Sequence, residues 1–307
     1  WIDAAAITEL RVMVPGDRPF TRSLQSLDLS CRLTLVPNNH FLWSDADFAR
    51  WAKPRKSLLM ESFYRESRKR FQVLMDGDTP TGGQWNFDKD NRKPPKGKLH
   101  PPPPLEFVPD AITQTVIEWV ETQEFSNYGT ITPFRWAVTR HQALQVLDHF
   151  IQKRLPTFGP YQDAMVTGED TLWHSLLSPY LNLGLLHPLE VIRAVEGAYR
   201  HSMTKEDGEG PSSTIPINSV EGFIRQVLGW REYMRGLYGY MDDDYPQRNW
   251  FDHHHSLPDF FWDATQTDMN CLHQTLDQVE RTGYAHHIQR LMVLSNFALI
   301  AGLSPQA

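Results

Sequence analysis

Between Gly77 and Pro109 the sequence forbids regular secondary structure. The run passes through Gly77-Asp78-Thr79-Pro80-Thr81-Gly82-Gly83-Gln84-Trp85-Asn86-Phe87-Asp88 and then Asn91-Arg92-Lys93-Pro94-Pro95-Lys96-Gly97-Lys98. It ends on four consecutive prolines, Pro101 to Pro104. Proline fixes φ and removes a backbone donor, so neither a helix nor an interior strand can cross such a run. The chain must therefore be built in two parts, joined by an ordered loop or linker over 53–109. Trp85 and Phe87 are large apolar groups for a solvated connector, and they imply a loop that packs onto something.

Residues 1–52 read as the end of an α/β domain. Asp3 to Leu10 reads as a short helix, Leu10 to Val14 as a strand closed by Pro15-Gly16-Asp17, and Phe20 to Leu27 as a second helix. Leu33 to Val36 reads as a second strand, and Ser44-Asp45-Ala46-Asp47 offers an N-cap with acidic residues in its first turn, for a helix through Trp51. Strands alternating with helices imply a parallel sheet. Ser57 to Leu74 is predicted helical and carries the basic cluster Arg65, Arg68, Lys69 and Arg70.

From 110 to 307 the pattern is nearly all helical. Apolar residues recur with helical spacing over Ala111–Phe125, Pro133–Arg154, Pro188–Tyr199, Val220–Tyr238 and Thr267–Thr282. Glu206 to Ser213 reads as a loop. A last helix follows Gly283, with Leu291, Leu294, Ala298, Ile300 and Ala301 at apolar positions and a stop near Gly302 and Pro305. His286 and Arg290 lie four apart on it, and His287, Arg290, Leu291 and Leu294 share a face. Three polar groups opening a greasy helix all need partners if they are buried.

Composition narrows the class. The net charge of −7 over 307 residues argues against a uniformly basic nucleic-acid binder but leaves room for a local basic patch. Ten Trp and sixteen Phe fit a large aromatic-rich helical core. Two cysteines, Cys31 and Cys271, rule out a disulfide framework, and neither belongs to a CxxC. With no signal peptide and no membrane-length apolar run, the sequence predicts a cytoplasmic protein. A start at Trp1 without methionine and an end just after Gly302-Leu303-Ser304-Pro305 lead us to expect a fragment.

Several clusters are candidates for chemistry. His253-His254-His255 invites a metal reading, but three adjacent residues off a helix do not easily face one ion. Phosphate loops of the Walker or GxGxxG type are absent, as are GxSxG and HExxH. In His174-Ser175-Leu176-Leu177-Ser178-Pro179-Tyr180, two serines three apart ahead of a helix make either an anion site or a simple N-cap. Gly222 to Tyr233 places Gln226, Trp230 and Tyr233 on one helical side, with Arg231 beside them.

Taken in order, Phe158-Gly159-Pro160-Tyr161-Gln162-Asp163, Ser175 to Tyr180, Trp230-Arg231-Glu232-Tyr233 and His286-His287-Ile288-Gln289-Arg290 resemble the photolyase/cryptochrome superfamily. Gly82-Gly83-Gln84-Trp85-Asn86-Phe87-Asp88, Asp268-Met269-Asn270-Cys271 and the double histidine look like its bacterial iron–sulfur branch, the prokaryotic (6-4) photolyases and their cryptochrome-like relatives. The resemblance covers essentially the whole chain. It implies an incomplete α/β antenna-type domain followed by a large all-α FAD-binding domain.

The resemblance also implies roles. Tyr161 and the turn Ser175-Leu176-Leu177-Ser178 would hold the FAD diphosphate, with Arg231 and Arg290 also lining the flavin. Gln226 and Trp230 would face the substrate, His286 and His287 would be catalytic at the lesion, and Trp262 would serve electron transfer. Cys271 would be the first ligand of a [4Fe–4S] cluster, the only one of four within this chain, because Cys31 lies in the other domain. A lumazine-type antenna chromophore is implied for a longer protein. The implied function is light-driven repair of (6-4) lesions in UV-damaged DNA by electron transfer from reduced FAD, with histidine proton transfer, in a monomeric lyase. The alternative is a blue-light photoreceptor that binds FAD without repair. Arg65, Arg68, Lys69 and the 91–98 segment are the candidates for DNA phosphate contacts.

Overall fold

The computed structural model describes residues 1–123, 127–204 and 214–307. Strand β1 (Glu9–Met13) pairs in parallel with β2 (Arg32–Val36), in a register running from Glu9 opposite Arg32 to Met13 opposite Val36. Helix α1 (Arg18–Gln25) makes the crossover. It is capped by Asp17, whose carboxylate accepts from the Phe20 amide at 2.6 Å, and Pro19 sits in its first turn, where no donor is needed. The helix expected over Asp3–Leu10 does not form. Residues 2–6 make only turns, Ala6 takes φ 51°, and the strand begins at Glu9. Such a short stretch gives too few hydrogen bonds to offset helix nucleation.

Helix α2 (Asp45–Ala52) starts where its cap predicts, with the Ser44 hydroxyl accepting from the Asp47 amide at 3.1 Å. Helix α3 (Met60–Phe71) ends short of Leu74, because Gln72 and Leu74 both take left-handed φ of 49°. Trp43, Phe48, Trp51, Phe63 and Tyr233 form one buried aromatic cluster, with Phe63 between 4.9 and 5.7 Å from the other four ring centroids. A short hairpin of β3 (Met75–Asp76) and β4 (Thr79–Pro80) follows.

Nine further helices are described: α4 (Ala111–Thr122), α5 (Arg140–His149), α6 (Leu155–Tyr161), α7 (Ser178–Asn182), α8 (Pro188–Thr204), α9 (Ile217–Ile224), α10 (Glu232–Tyr240), α11 (Asn270–Thr282) and α12 (Asn296–Ile300). Phe125 and the predicted loop Glu206 to Ser213 lie outside the described residues. A π-helical turn, Phe150–Arg154, joins α5 to α6. Another, Arg225–Arg231, joins α9 to α10, and a third, Gln289–Ser295, leads into α12. Each carries an arginine, and such turns recur where a helix re-aims a functional side chain. The main core is built from α5, α6, α8 and α9 around Phe150, Phe158 and Phe223, all nearly buried.

The Trp85–Phe87 loop packs as the sequence implies. Phe87 is buried and donates its amide to Glu221 at 3.2 Å, while Arg65, Arg68 and Lys69 of α3 stack over the Trp85 ring at 5.3 to 5.6 Å. This corrects Arg68 as a DNA-contact candidate. It is wholly buried and donates to the carbonyls of Val73 (3.3 Å), Leu74 and Trp85 (3.0 Å). Arg65 is engaged by Glu61 at 3.0 Å.

Where α10 crosses α2, a Cβ on Gly236 would sit 2.0 Å from the Phe48 ring, which the aromatic cluster holds in place. Gly236→Ala is therefore expected to lower stability by about 1–3 kcal/mol or more through overpacking, read as a reduced urea midpoint. An unchanged midpoint would mean that Phe48 is free to move.

Candidate functional site

The last helix carries the densest polar cluster. Gly283, at φ 64°, ends α11 by donating its amide to Val279 O at 2.8 Å and lets the chain reverse. Two buried glutamines lock the reversal. Gln289 Nε2 donates to Gln278 Oε1 at 2.6 Å, and Gln278 Nε2 reaches Tyr284 O at 3.1 Å. The His286 amide donates to Gln289 Oε1 at 3.0 Å. Sequence reading missed both glutamines, since an amide in an amphipathic helix looks like surface.

The lock brings His286 and His287 against His174. The His174 and His286 rings stack at 4.6 Å with an 11° interplanar angle, and His287 meets His174 edge-on at 5.6 Å. His174 and His286 are 7% and 3% exposed, and His174 Nε2 and His286 Nδ1 have no hydrogen-bond partner. His287 Nε2 lies 3.1 Å from Asp163 Oδ1. An ionised carboxylate only accepts, so this contact assigns the proton to Nε2. Burial, and then the neighbouring histidines, pull His174 well below the usual imidazole range and His286 down to about 4. Both rings are neutral at pH 7.

Arg154, in the π-turn ahead of α6, is 1% exposed and supports this cluster. It donates to His174 O at 2.8 Å and to Pro102 O at 2.7 Å, so the proline run is pinned to the histidine site. Burial lowers its guanidinium to about 10. Next to it, the Tyr161 ring stacks on Trp173 at 5.0 Å. Gln162 is buried with Oε1 unpartnered, and a Cβ on Gly222 would meet that oxygen at 3.3 Å.

Neutral buried histidines make stability depend on pH. His286 has a folded-state value near 4 against about 6.5 unfolded, so between those values the unfolded chain binds more protons. Stability is full above pH 6.5 and falls as pH drops towards 4. The His286 contribution to that fall is on the order of 3 kcal/mol. Thermal melts from pH 7.5 to 4.5 should show the decline, and His286→Gln should flatten it. A slope unchanged in that variant would show that the ring is solvated.

The other predicted site residues have partners of their own. Ser175 Oγ accepts from the Leu177 amide at 3.4 Å, Leu176 takes φ 59°, and Leu177 and Ser178 open α7, for which no side-chain cap forms. Gln226 donates to Gly222 O at 3.2 Å. Trp230 is 44% exposed and meets Tyr233 edge-on. Arg231 turns away from the histidines: it donates to His40 O at 2.9 Å, pairs with Glu232 at 3.2 Å and lies over the Phe41 ring at 4.1 Å. Arg290 is exposed, its amide donating to His286 O at 3.2 Å.

The greasy face predicted for the last helix is only partly covered. Val293 is buried, but Leu291 is 57% and Ile300 79% exposed. Trp262 is 60% exposed against Tyr128, and Cys271 is exposed in the first turn of α11. The three rings of the histidine triplet face different partners. His255 Nδ1 faces Ala301 O at 2.7 Å, His254 pairs with Asp252, and His253 stacks on Phe251. Among the described residues, His174, His286 and His287 form the one group of metal-ligating type whose nitrogens all lie within 4.8 Å of one another.

The chain has relatives among known proteins. A family model described as deoxyribodipyrimidine photo-lyase-related protein matches residues 1–136. A protein named (6-4) photolyase, from Agrobacterium fabrum strain C58, is 47% identical over 270 residues, 88% of this chain. By these two matches the chain fits the photolyase-related superfamily. It spans about half the length of that curated relative, 51% of it. Uncharacterized protein R853 of Acanthamoeba polyphaga mimivirus is 34% identical over 102 residues, 33% of this chain and 70% of that protein. A bacterial class III photolyase from Agrobacterium tumefaciens, solved by crystallography, shares the fold. Its TM-score is 0.59, with 17% identity over 99% of this chain and 57% of the other. Asp163, His174 and Arg154 were not assigned from the sequence, although Asp163 lies in a motif that carried the resemblance and His174 directly precedes another. No helix among the described residues is long and apolar enough to cross a membrane.

Proposed function

We propose that this chain is the flavin- and lesion-binding part of a DNA photolyase of the (6-4) type. The observation that carries the proposal is the buried, neutral histidine cluster of His174, His286 and His287, with a carboxylate on its most accessible member. Buried imidazoles with free nitrogens are costly unless a ligand uses them.

The residues around the cluster fit FAD. Gln162 Oε1, Arg154 Nε, His174 Nε2 and His286 Nδ1 are buried polar atoms without partners, and Gln162 and His174 are chain neighbours of Tyr161 and Ser175. Tyr161, Ser175 and Ser178 would hold the diphosphate, and Arg290, one turn beyond His286, would approach the ring system from the exposed side. When bound and reduced, FAD supplies a light-driven electron to the lesion. As the imidazolium, His287 would give the lesion its proton from Nδ1 while Asp163 accepts from Nε2, and His286 and His174 would exclude water and pack the lesion. The lesion enters by leaving the duplex stack.

Arg92, Lys93, Lys96 and Lys98 are exposed and, with the exposed Arg65 and Lys69, remain candidates for phosphate contacts. The Lys93 amide donates to Pro160 O at 3.1 Å, which tethers the basic run beside Tyr161. Lys96→Ala is expected to weaken DNA binding equally for damaged and undamaged duplex and to reduce the salt slope by about 1. A slope that does not change removes this lysine from the interface.

With two cysteines the chain supplies at most half of a four-cysteine ligand set, so no step here passes through a [4Fe–4S] cluster. Cys271 remains the candidate ligand in this chain, and Trp262 the candidate for electron transfer at the surface. The deciding experiment is blue-light repair of (6-4) duplex DNA by the full-length protein with its flavin reduced. Light-dependent restoration of the bases supports the reading. Bound flavin that photoreduces without repair moves the protein to a photoreceptor role.

A further inference from the structure

We propose that His174, His286 and His287 form a binding site for Zn²⁺. Three imidazoles on one tetrahedral ion, each at about 2.0–2.1 Å, place their ring centroids roughly 5 Å apart. The three centroid separations here, 4.6, 5.6 and 6.3 Å, bracket that spacing. One nitrogen from each ring already lies within 4.8 Å of the other two.

Two of the three ligands have nothing else to do with their lone pairs. His174 Nε2 and His286 Nδ1 are unpartnered on rings more than nine-tenths buried. The third ring is oriented from behind, since His287 Nε2 rests on Asp163 Oδ1 at 3.1 Å and Nδ1 is left as its donor. A carboxylate behind a histidine ligand is the usual outer support of a zinc site. The His174 and His286 rings lie nearly parallel, so ligation requires one of them to swing towards His287.

With three protein ligands the fourth position stays open, and the partly exposed His287–Asp163 side gives solvent access to it. The all-nitrogen donor set selects zinc over magnesium, which prefers oxygen ligands. Zinc would tie up His287 and the two rings proposed to pack the lesion, so it would inhibit repair. The inhibition rests on the function proposed above, whereas the binding does not.

The test is calorimetric titration of zinc chloride into the full-length, tag-free protein. One site per molecule is expected, unaffected by excess magnesium. Binding should be lost in His174→Ala and in His286→Ala and weakened about 10–100-fold in Asp163→Asn. It should persist when His253, His254 and His255 are all replaced by alanine. No binding, binding that survives His286→Ala, or binding that disappears with the triplet would each overturn the site. If the histidine variants fail to fold, Co²⁺ added to the parent protein decides by its ligand-field absorption. A four-coordinate spectrum supports the site, and a six-coordinate one overturns it. Zinc binding by a protein that repairs no (6-4) DNA would leave the site standing and remove the proposed function.

Discussion

Arg225→Ala is expected to destabilise the protein by roughly 3–5 kcal/mol, because it strands a buried charge. Arg225 lies in the π-turn between α9 and α10, 6% exposed. Its guanidinium pairs with both oxygens of Asp88, one at 2.8 Å, and its Nε lies 3.2 Å from Glu221 Oε1. Glu221 is wholly buried and accepts the Phe87 amide at 3.2 Å. The group therefore fastens the Trp85–Phe87 loop to the helical core. Burial pushes the Glu221 carboxyl up, and Arg225 is the first influence holding it down. Without the arginine, Glu221 must protonate or remain an uncompensated charge, so the deficit should grow as pH rises from 5 to 8. Urea denaturation at both ends of that range measures it. The double variant Arg225→Met, Glu221→Gln should recover most of the loss, since replacing a whole buried pair is far less harmful than halving it. A double variant no better than the single one would place the cost in packing.

Much of this fold was legible where the signal is local. Ser44 and its acidic first turn marked α2, and Gly283 marked the end of α11, because caps and left-handed glycines act within a few residues. The parallel β1–β2 pair followed from strands alternating with helices. What misled was reading charge without phase. Phe63, Tyr64, Ser67 and Arg68 follow the three–four spacing of a buried helical face, yet the basic residues flanking Arg68 give it the look of a surface cation. Arg231 misled in another way. Its partner, the His40 carbonyl, lies far away in sequence, and no spacing rule reports such a contact. The site divides similarly. The adjacency of His286 and His287 was visible, whereas His174 joins them only through the fold, held by Arg154 and by the Gln278–Gln289 lock.

On the proposed function, His287→Ala is expected to lower light-driven repair of (6-4) DNA about 10²–10⁴-fold, the usual range for removing a positioned proton donor. That corresponds to roughly 3–5.5 kcal/mol on the barrier. His287 carries the whole expectation because it alone of the three rings is partly exposed and supported by a carboxylate, at 3.1 Å. His174 and His286 are held neutral by burial and on this proposal would serve as walls, so replacing them should harm lesion binding and stability along with rate. Flavin content and damaged-DNA affinity measured on His287→Ala separate the cases: both should stay near the parent values while repair per absorbed photon collapses. Asp163→Asn should fall in between, since it weakens the control of tautomer but keeps the ring. Repair within a few-fold of the parent in His287→Ala would take the proton away from this residue and leave His286, despite its burial, as the candidate donor.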